Sequence, residues 1–337
     1  MDLVTKLEKE KLLAIVHRFS ERKVLIVGDA IADRFLYGSI SRVSREAPVF
    51  ILKHEQTDTV PGGAANCALN FASLGAAATL CSLIGDDESG RALREKLLEA
   101  NVDVKGLYLS PDTNTVTKVR ILAGQSHSSR QQVIRIDYEE KNYSGDQVRQ
   151  SFRECLKQKL EQVEAVVISD YNYGTVDEEV VQLIRAHVKA RRVPVLVDSR
   201  FKLGKFSGFT SATPNQDEVE TLIGKTLDSV AELESAATEL KERFNFEALL
   251  VTRGGKGMML LERNCAPIHI QAIGSDQPVD VTGAGDTVIA TFSLALASGA
   301  TFSEAAQLAN YAGGLVVMKR GTASVSVSEL AHSIQAE

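Results

Sequence analysis

The stretch DVTGAGD, Asp280 to Asp286, stands directly before an apolar run, TVIATFSLALASG, that closes on Gly299. The pattern predicts a helix from about Ala284 to Ser298, with Gly299 as its C-terminal stop. Gly283, Ala284 and Gly285 then occupy its first turn. The unpaired N–H groups at a helix N-terminus make a ready anion site, and small residues let a phosphate approach the backbone closely. Asp286 falls in the same turn. A carboxylate there suits the helix dipole whatever else it does. Beside a phosphate-binding turn it can also serve as general base toward a hydroxyl, a role worth about 10²–10⁴-fold in rate. The stretch reads as a phosphate site with a resident base.

Upstream, short apolar runs have the continuous character of buried parallel strands: KVLIVGD (23–29), TLCSLIG (79–85), AVVISD (165–170), VPVLVD (193–198) and EALLVTRG (247–254). Helix-like segments alternate with them, among them SGRALREKLLEANV, DQVRQSFRECLKQKLEQV and VDEEVVQLIRAHVKARR. This alternation predicts an α/β fold, a doubly wound and mainly parallel sheet flanked by helices. Most of the strands end in Asp, Gly or Asn, and such sheets bind ligands beyond the carboxyl ends of their strands. Residues 34–60 and 115–139 instead alternate with period two and are rich in β-branched residues. We expect them to form a small second sheet standing over the site, with a pair of surface hairpins as the alternative.

The 337 residues carry a net charge of −6 and no basic run, which argues against nucleic acid as a partner. No apolar run reaches a membrane-spanning length and the N-terminus lacks a signal-peptide pattern, so a cytoplasmic protein is expected. Cys67, Cys81, Cys155 and Cys265 are scattered without CxxC spacing and read as reduced structural cysteines.

Other clusters support the phosphate reading. VPGGAANCALNFASLG (60–75) sets Gly62 and Gly63 before a helix that carries Asn66 on its first turn, and an amide can donate to and accept from a polyol. GDAIAD (28–33) closes the first strand with Asp29 and Asp33, acceptors for sugar hydroxyls. TPNQDEVE (213–220) offers Asn215 and Glu218, either an N-cap with an acidic first turn or a place to hold Mg²⁺ through water. TRGGKG (252–257) is a glycine-dense turn after a strand. No GxxxxGK[ST] occurs, and GAGDTV breaks the dinucleotide pattern GxGxxG.

In this order, the GD of the first strand, GGAAN, PNQDE, TRGGKG and DVTGAGD resemble the PfkB (ribokinase-like) carbohydrate kinase family over about residues 22–330. VLIVGDAIADRFLYGSISRVSREAPVFIL, PGGAANCALNFASLGAAATL and TKVRILAGQSHSSRQQVIRIDYEE further resemble the kinase half of the heptose kinase/adenylyltransferases of lipopolysaccharide biosynthesis. The resemblance implies a ribokinase-like fold with a small β-sheet lid, ATP and Mg²⁺ as cofactors, and phosphorylation at C1 of D-glycero-D-manno-heptose 7-phosphate. It implies Asp286 as the base and the backbone of Gly283, Ala284 and Gly285 as the anion hole. Asp29, Asp33, Gly62, Gly63 and Asn66 would hold the sugar, with Arg120 and Arg135 of the lid on its phosphate. Thr252, Gly254, Gly257 and Asn310 would line the nucleotide site, and Asn215 and Glu218 would position hydrated Mg²⁺. Asp280 and Thr282 are where a K⁺ would be sought, and a homodimer through the lid is implied.

The chain departs from the family pattern at YNYGTV (171–176), where a DYGKGV-like run is expected, at SREAP (44–48) for SPEAP, and in a longer QSHSSRQQ turn (125–132). No HxGH-type motif occurs, so we expect one kinase domain over residues 1–337 and no adenylyltransferase half. A catalytically silent sugar- or nucleotide-binding relative on the same fold is the alternative, and retention of Asp286 and its glycines speaks against it.

Overall fold

The computed structural model describes residues 3–124, 130–139, 145–274 and 277–336. Of the long turn at 125–132, residues 125–129 therefore lie outside the described residues. The chain starts with α1 (Leu3–His17) and runs through β1 (Lys23–Gly28), β2 (Ala30–Val43), β3 (Phe50–Gly63), α2 (Ala64–Ser73), β4 (Ala77–Gly85), α3 (Glu88–Glu99) and β5 (Asp103–Ser110). It continues with β6 (Thr117–Gly124), β7 (Gln131–Tyr138), α4 (Asp146–Leu160), β8 (Ala165–Asp170), α5 (Glu178–Arg191), β9 (Val195–Ser199) and β10 (Ser211–Ala212). The remainder is α6 (Gln216–Ile223), α7 (Val230–Arg243), β11 (Ala248–Thr252), β12 (Met258–Glu262), β13 (Ile268–Ile270), α8 (Ala284–Ala297), α9 (Phe302–Val316) and α10 (Val327–Ala336).

The large sheet has the order β13-β12-β11-β10-β9-β8-β1-β4-β5, parallel from β5 to β11 and antiparallel at β12 and β13. Successive residues of β1 point to opposite faces. Val24 and Ile26 join a core with α1, α2, α3, α8, α9 and α10, whereas Leu25 and Val27 join one with α4, α5, α6 and α7. Burial on both faces explains the unbroken apolar runs. Each such side chain contributes about 1.5–3 kcal/mol.

The strand order reverses beside β1, whose neighbours are β4 and β8, and a crevice opens at such a switch point. A small sheet of order β3-β2-β6-β7 stands there, antiparallel except where β2 pairs with β6. Its strands run from 30 to 63 where we expected 34 to 60. Only Asp29 separates β1 from β2, so the chain passes from one sheet straight into the other.

Candidate active site

Helix α8 carries the DVTGAGD turn into the crevice. From Val288 to Ala295 every residue is buried, and the helix packs between α2 and α9, which fixes its N-terminus. Gly283 is the N-cap, with φ 77°, and lacks a side chain to close the first turn. Of the first-turn amides expected to bind an anion, that of Ala284 donates to Val281 O at 3.2 Å.

Asp286 is buried, and Asn66 Nδ2 donates to its Oδ2 at 2.6 Å. Its Oδ1 is buried with no hydrogen-bond partner. Burial pushes the Asp286 carboxyl up to about 7, helped by the charge of Asp33 and opposed by the Asn66 hydrogen bond. A carboxylate at that position on the pH scale, with one lone acceptor, is equipped to take a proton near neutrality.

Asp286 lines a cavity of about 380 Å³ between the strand ends and the small sheet. Asp33, Gly62, Gly63, Asn215, Glu218, Thr252, Thr282, Gly283 and Gly285 line it too, as do Arg120 and Arg135, which face each other across β6 and β7. A second, largely apolar cavity of about 170 Å³ is lined by Thr252, Gly254, Gly257, Ala284, Gly285 and Asn310, with Met258, Ile273 and Val288. Asn310 Nδ2 donates to Gln271 O at 2.7 Å. The two cavities share Thr252, Val281 and Gly285, so they meet at the start of α8.

The structure assigns several expected residues differently. Asp29 does not line the cavity. Its Oδ2 accepts the backbone N–H groups of Tyr171 and Tyr173, at 2.9 and 3.0 Å, and its Oδ1 that of Thr175 at 3.0 Å. It braces a loop. Asn66 acts on Asp286 instead of lining the cavity. Both Asp280 oxygens accept backbone N–H groups, from Thr282 and Gly321 at 2.9 Å each, so Asp280 ties two loops together. Arg120 pairs with Asp33, and Arg135 with Asp137 at 2.9 Å. Arg42 and Arg45, which also fall in the segment expected to form the lid, are exposed.

Asn215 and Glu218 form a reciprocal capping box at the start of α6 while also lining the cavity. Burial raises the Glu218 carboxyl, against the Asn215 N–H and Arg200, which lower it.

Lys118, expected among the lid cations, is on the cavity wall, and sequence reasoning missed Asp170, Tyr171, Asp198 and Arg200, which lie there too. The signal for the two aspartates was the acid closing AVVISD and VPVLVD. Burial raises Asp198 strongly, and the charges of Asp286 and Glu218 add to the effect.

Two of the glycines make room for the protein itself. A Cβ on Gly283 would lie 2.6 Å from Asn66 Nδ2, and one on Gly62 2.3 Å from Asp33 Oδ2. Only open space faces Gly285, the glycine shared by both cavities.

Residues 21–329 match the pfkB family of carbohydrate kinases. The chain belongs to that family. It is 42% identical over 318 residues to the Bifunctional protein HldE of Edwardsiella ictaluri, with 94% of this chain and 64% of the relative covered. It is likewise 42% identical over 319 residues to that of Klebsiella pneumoniae, with the same coverage. The chain thus spans about 64% of the length of these curated relatives. Among solved structures it is similar to Arabidopsis thaliana ribokinase complexed with ribose and ATP, with TM-score 0.73, 21% identity and 93% and 99% of the two chains covered. Phosphofructokinase-2 from Escherichia coli gives TM-score 0.75 at 18% identity, covering 94% and 98%. The fold is ribokinase-like, and membership of the pfkB family makes the chain a phosphotransferase acting on a sugar hydroxyl.

Proposed function

We propose that the chain phosphorylates C1 of D-glycero-D-manno-heptose 7-phosphate to the 1,7-bisphosphate with ATP. The observation that carries the transfer chemistry is the unpartnered, buried Oδ1 of Asp286, a residue of the polar cavity's wall next to Gly285, which both cavities share. The choice of sugar rests on the sequence resemblance, supported by the 42% identity to the HldE proteins.

The acceptor sugar occupies the polar cavity against Asp33, Gly62 and Gly63, with Arg120 and Arg135 toward its phosphate. The nucleoside lies in the apolar cavity against Gly254, Gly257 and Asn310. Asp286 takes the proton of the acceptor hydroxyl as that oxygen bonds to the γ-phosphorus and the bond to the bridging oxygen breaks. Asn66 holds the carboxylate in place. The amides of Gly283 and Gly285 face the charge that develops on the phosphoryl oxygens.

Asn215 and Glu218 offer hard oxygen donors on the cavity wall. This fits Mg²⁺ held through water. When bound, Mg²⁺ neutralises charge on the phosphates. Asp280, with its oxygens already accepting two amides, fits a K⁺ only as part of a mainly backbone set, with Thr282 beside it.

No helix among the described residues is long and apolar enough to cross a membrane. The outer surface of β7 carries Ile134, Ile136 and Tyr138, each more than 40% exposed. This supports a homodimer through the small sheet.

The test is ATP-dependent phosphorylation of the heptose 7-phosphate beside ribose, fructose and fructose 6-phosphate. Selective turnover of the heptose phosphate is expected. Preference for another sugar would overturn the substrate, and turnover of none would favour the silent relative.

A further inference from the structure

The segment YNYGTV departs from the family pattern, and of its residues only Tyr171 lines the cavity just described. Its first residues are unusually well fixed. Three of its backbone N–H groups end on the carboxylate of Asp29, itself at the end of β1. Asn172 and Gly174 take left-handed backbone, φ 64° and 103°, which turns the loop so that alternate amides face inward to that one carboxylate. The loop is therefore anchored to the end of the large sheet.

Tyr173 reaches from this anchored loop to the small sheet. Its hydroxyl donates to Glu139 Oε1 at 2.5 Å, just past the end of β7. Lys118 of β6 approaches the same Oε1 at 3.4 Å, and its Nζ stands 5.9 Å from the centre of the Tyr173 ring. Lys118 also lines the cavity, as does Tyr171 of the anchored loop. One carboxylate oxygen thus joins a residue of the anchored loop to a cavity-wall cation of the small sheet.

We infer that Tyr173 is a positioning residue for the acceptor sugar. Through Glu139 it holds β6 and β7 over the cavity and seats Lys118 in its wall. The inference rests on the reading of the small sheet as the lid of the acceptor site. A hydroxyl-to-carboxylate hydrogen bond is of the stronger, charge-assisted kind, and the segment it restrains carries the cations Lys118, Arg120 and Arg135 together. The nucleotide cavity shares none of these residues, so the effect of Tyr173 belongs to the sugar and not to ATP.

The experiment is Tyr173→Phe in the full chain, which removes one oxygen and keeps the ring beneath Lys118. Amide hydrogen exchange comes first, since it needs no substrate. We expect the amides of β6 and β7 to exchange about tenfold faster, with those of the large sheet unchanged. In steady-state kinetics with the preferred sugar, KM for that sugar rises about tenfold, KM for ATP stays constant, and ATP hydrolysis without sugar increases. Glu139→Ala gives the same phenotype, and the double variant is no worse than either single one. Unchanged exchange in β6 and β7 would overturn the inference, as would exchange accelerated throughout the molecule, which marks a merely structural tyrosine. A parallel rise in both KM values would overturn it too. A wild-type chain that turns over no sugar defeats the proposed function, while the exchange data still decide the joint.

Discussion

Replacing Asp286 by Asn changes two things at once, and the structure separates them. The amide keeps an oxygen for Asn66, whose Nδ2 donates at 2.6 Å, and places its own NH₂ where the unpartnered Oδ1 now lies. Shape is kept and the proton acceptor is lost. General-base assistance of this kind is worth about 10²–10⁴-fold, so kcat should fall by that amount while nucleotide binding survives. The second effect is on stability. Burial moves the carboxyl from its ordinary 3.8 to about 7, so the ionised form costs the folded chain about 4 kcal/mol. In the unfolded chain the group ionises near 4, in the folded chain near 7. Between these values the native state holds the extra proton, and stability falls as pH rises. The Asn variant should therefore match wild type in Tm near pH 4 and exceed it at pH 8. Rates follow ADP release, and stability a thermal melt at each pH. A variant within tenfold of the wild-type rate would refute Asp286 as the base. Equal Tm values at pH 8 would refute the burial argument.

Three further outcomes follow from the same geometry. The wild-type kcat/KM should rise tenfold per pH unit below about 7 and level off above it, because the base must be ionised; a pH–rate profile flat from 5 to 8 would contradict this. Gly285→Ala meets no atom within 4 Å and should fold normally, yet its methyl group intrudes at the junction of the two cavities, so transfer should fall at least about tenfold with an unchanged melt. If the proposed homodimer forms through the small sheet, Ile136→Asp on the exposed face of β7 should lower the sedimentation coefficient to that of a monomer, and an unchanged coefficient would overturn a dimer through that face.

How far the sequence could be read depended on the range of the interaction. The core strands β1, β8, β9 and β11 were legible because burial on both faces leaves an unbroken apolar run. Strand β10, two residues long, is too short to carry any period, and it is held by β9 and β11 on either side. Its existence is a tertiary fact. The small sheet was visible from its alternation, but its edges were drawn inward, because AIA at 30–32 is apolar and buried like the core although it already pairs with Gly63, Gly62 and Pro61. At the site, the turn of DVTGAGD and the acids at the strand ends were local signals. The partners of Asp29 were not, since they lie more than 140 residues downstream.

The glycines of the site show how a residue type read from sequence can serve a different neighbour in the fold. In sequence, Gly283 read as clearance for a phosphate, and the family resemblance implied Gly62 as a sugar contact. In the fold each clears a path for a functional side chain, the Asp33 carboxylate and the Asn66 amide respectively. Those two groups act on Asp286 in opposite directions, Asp33 raising its proton affinity and Asn66 lowering it. A methyl group at Gly283 would press on the Asn66 amide and disturb its hydrogen bond to Asp286. Loss of either glycine is therefore expected to alter the ionisation of Asp286 before it alters ligand contact. Gly283→Ala should displace the acid limb of the pH–rate profile, whereas Gly285→Ala, with only open space before it, should lower the plateau and leave the limb in place. A Gly283→Ala profile that falls uniformly at every pH would return Gly283 to the role of simple clearance.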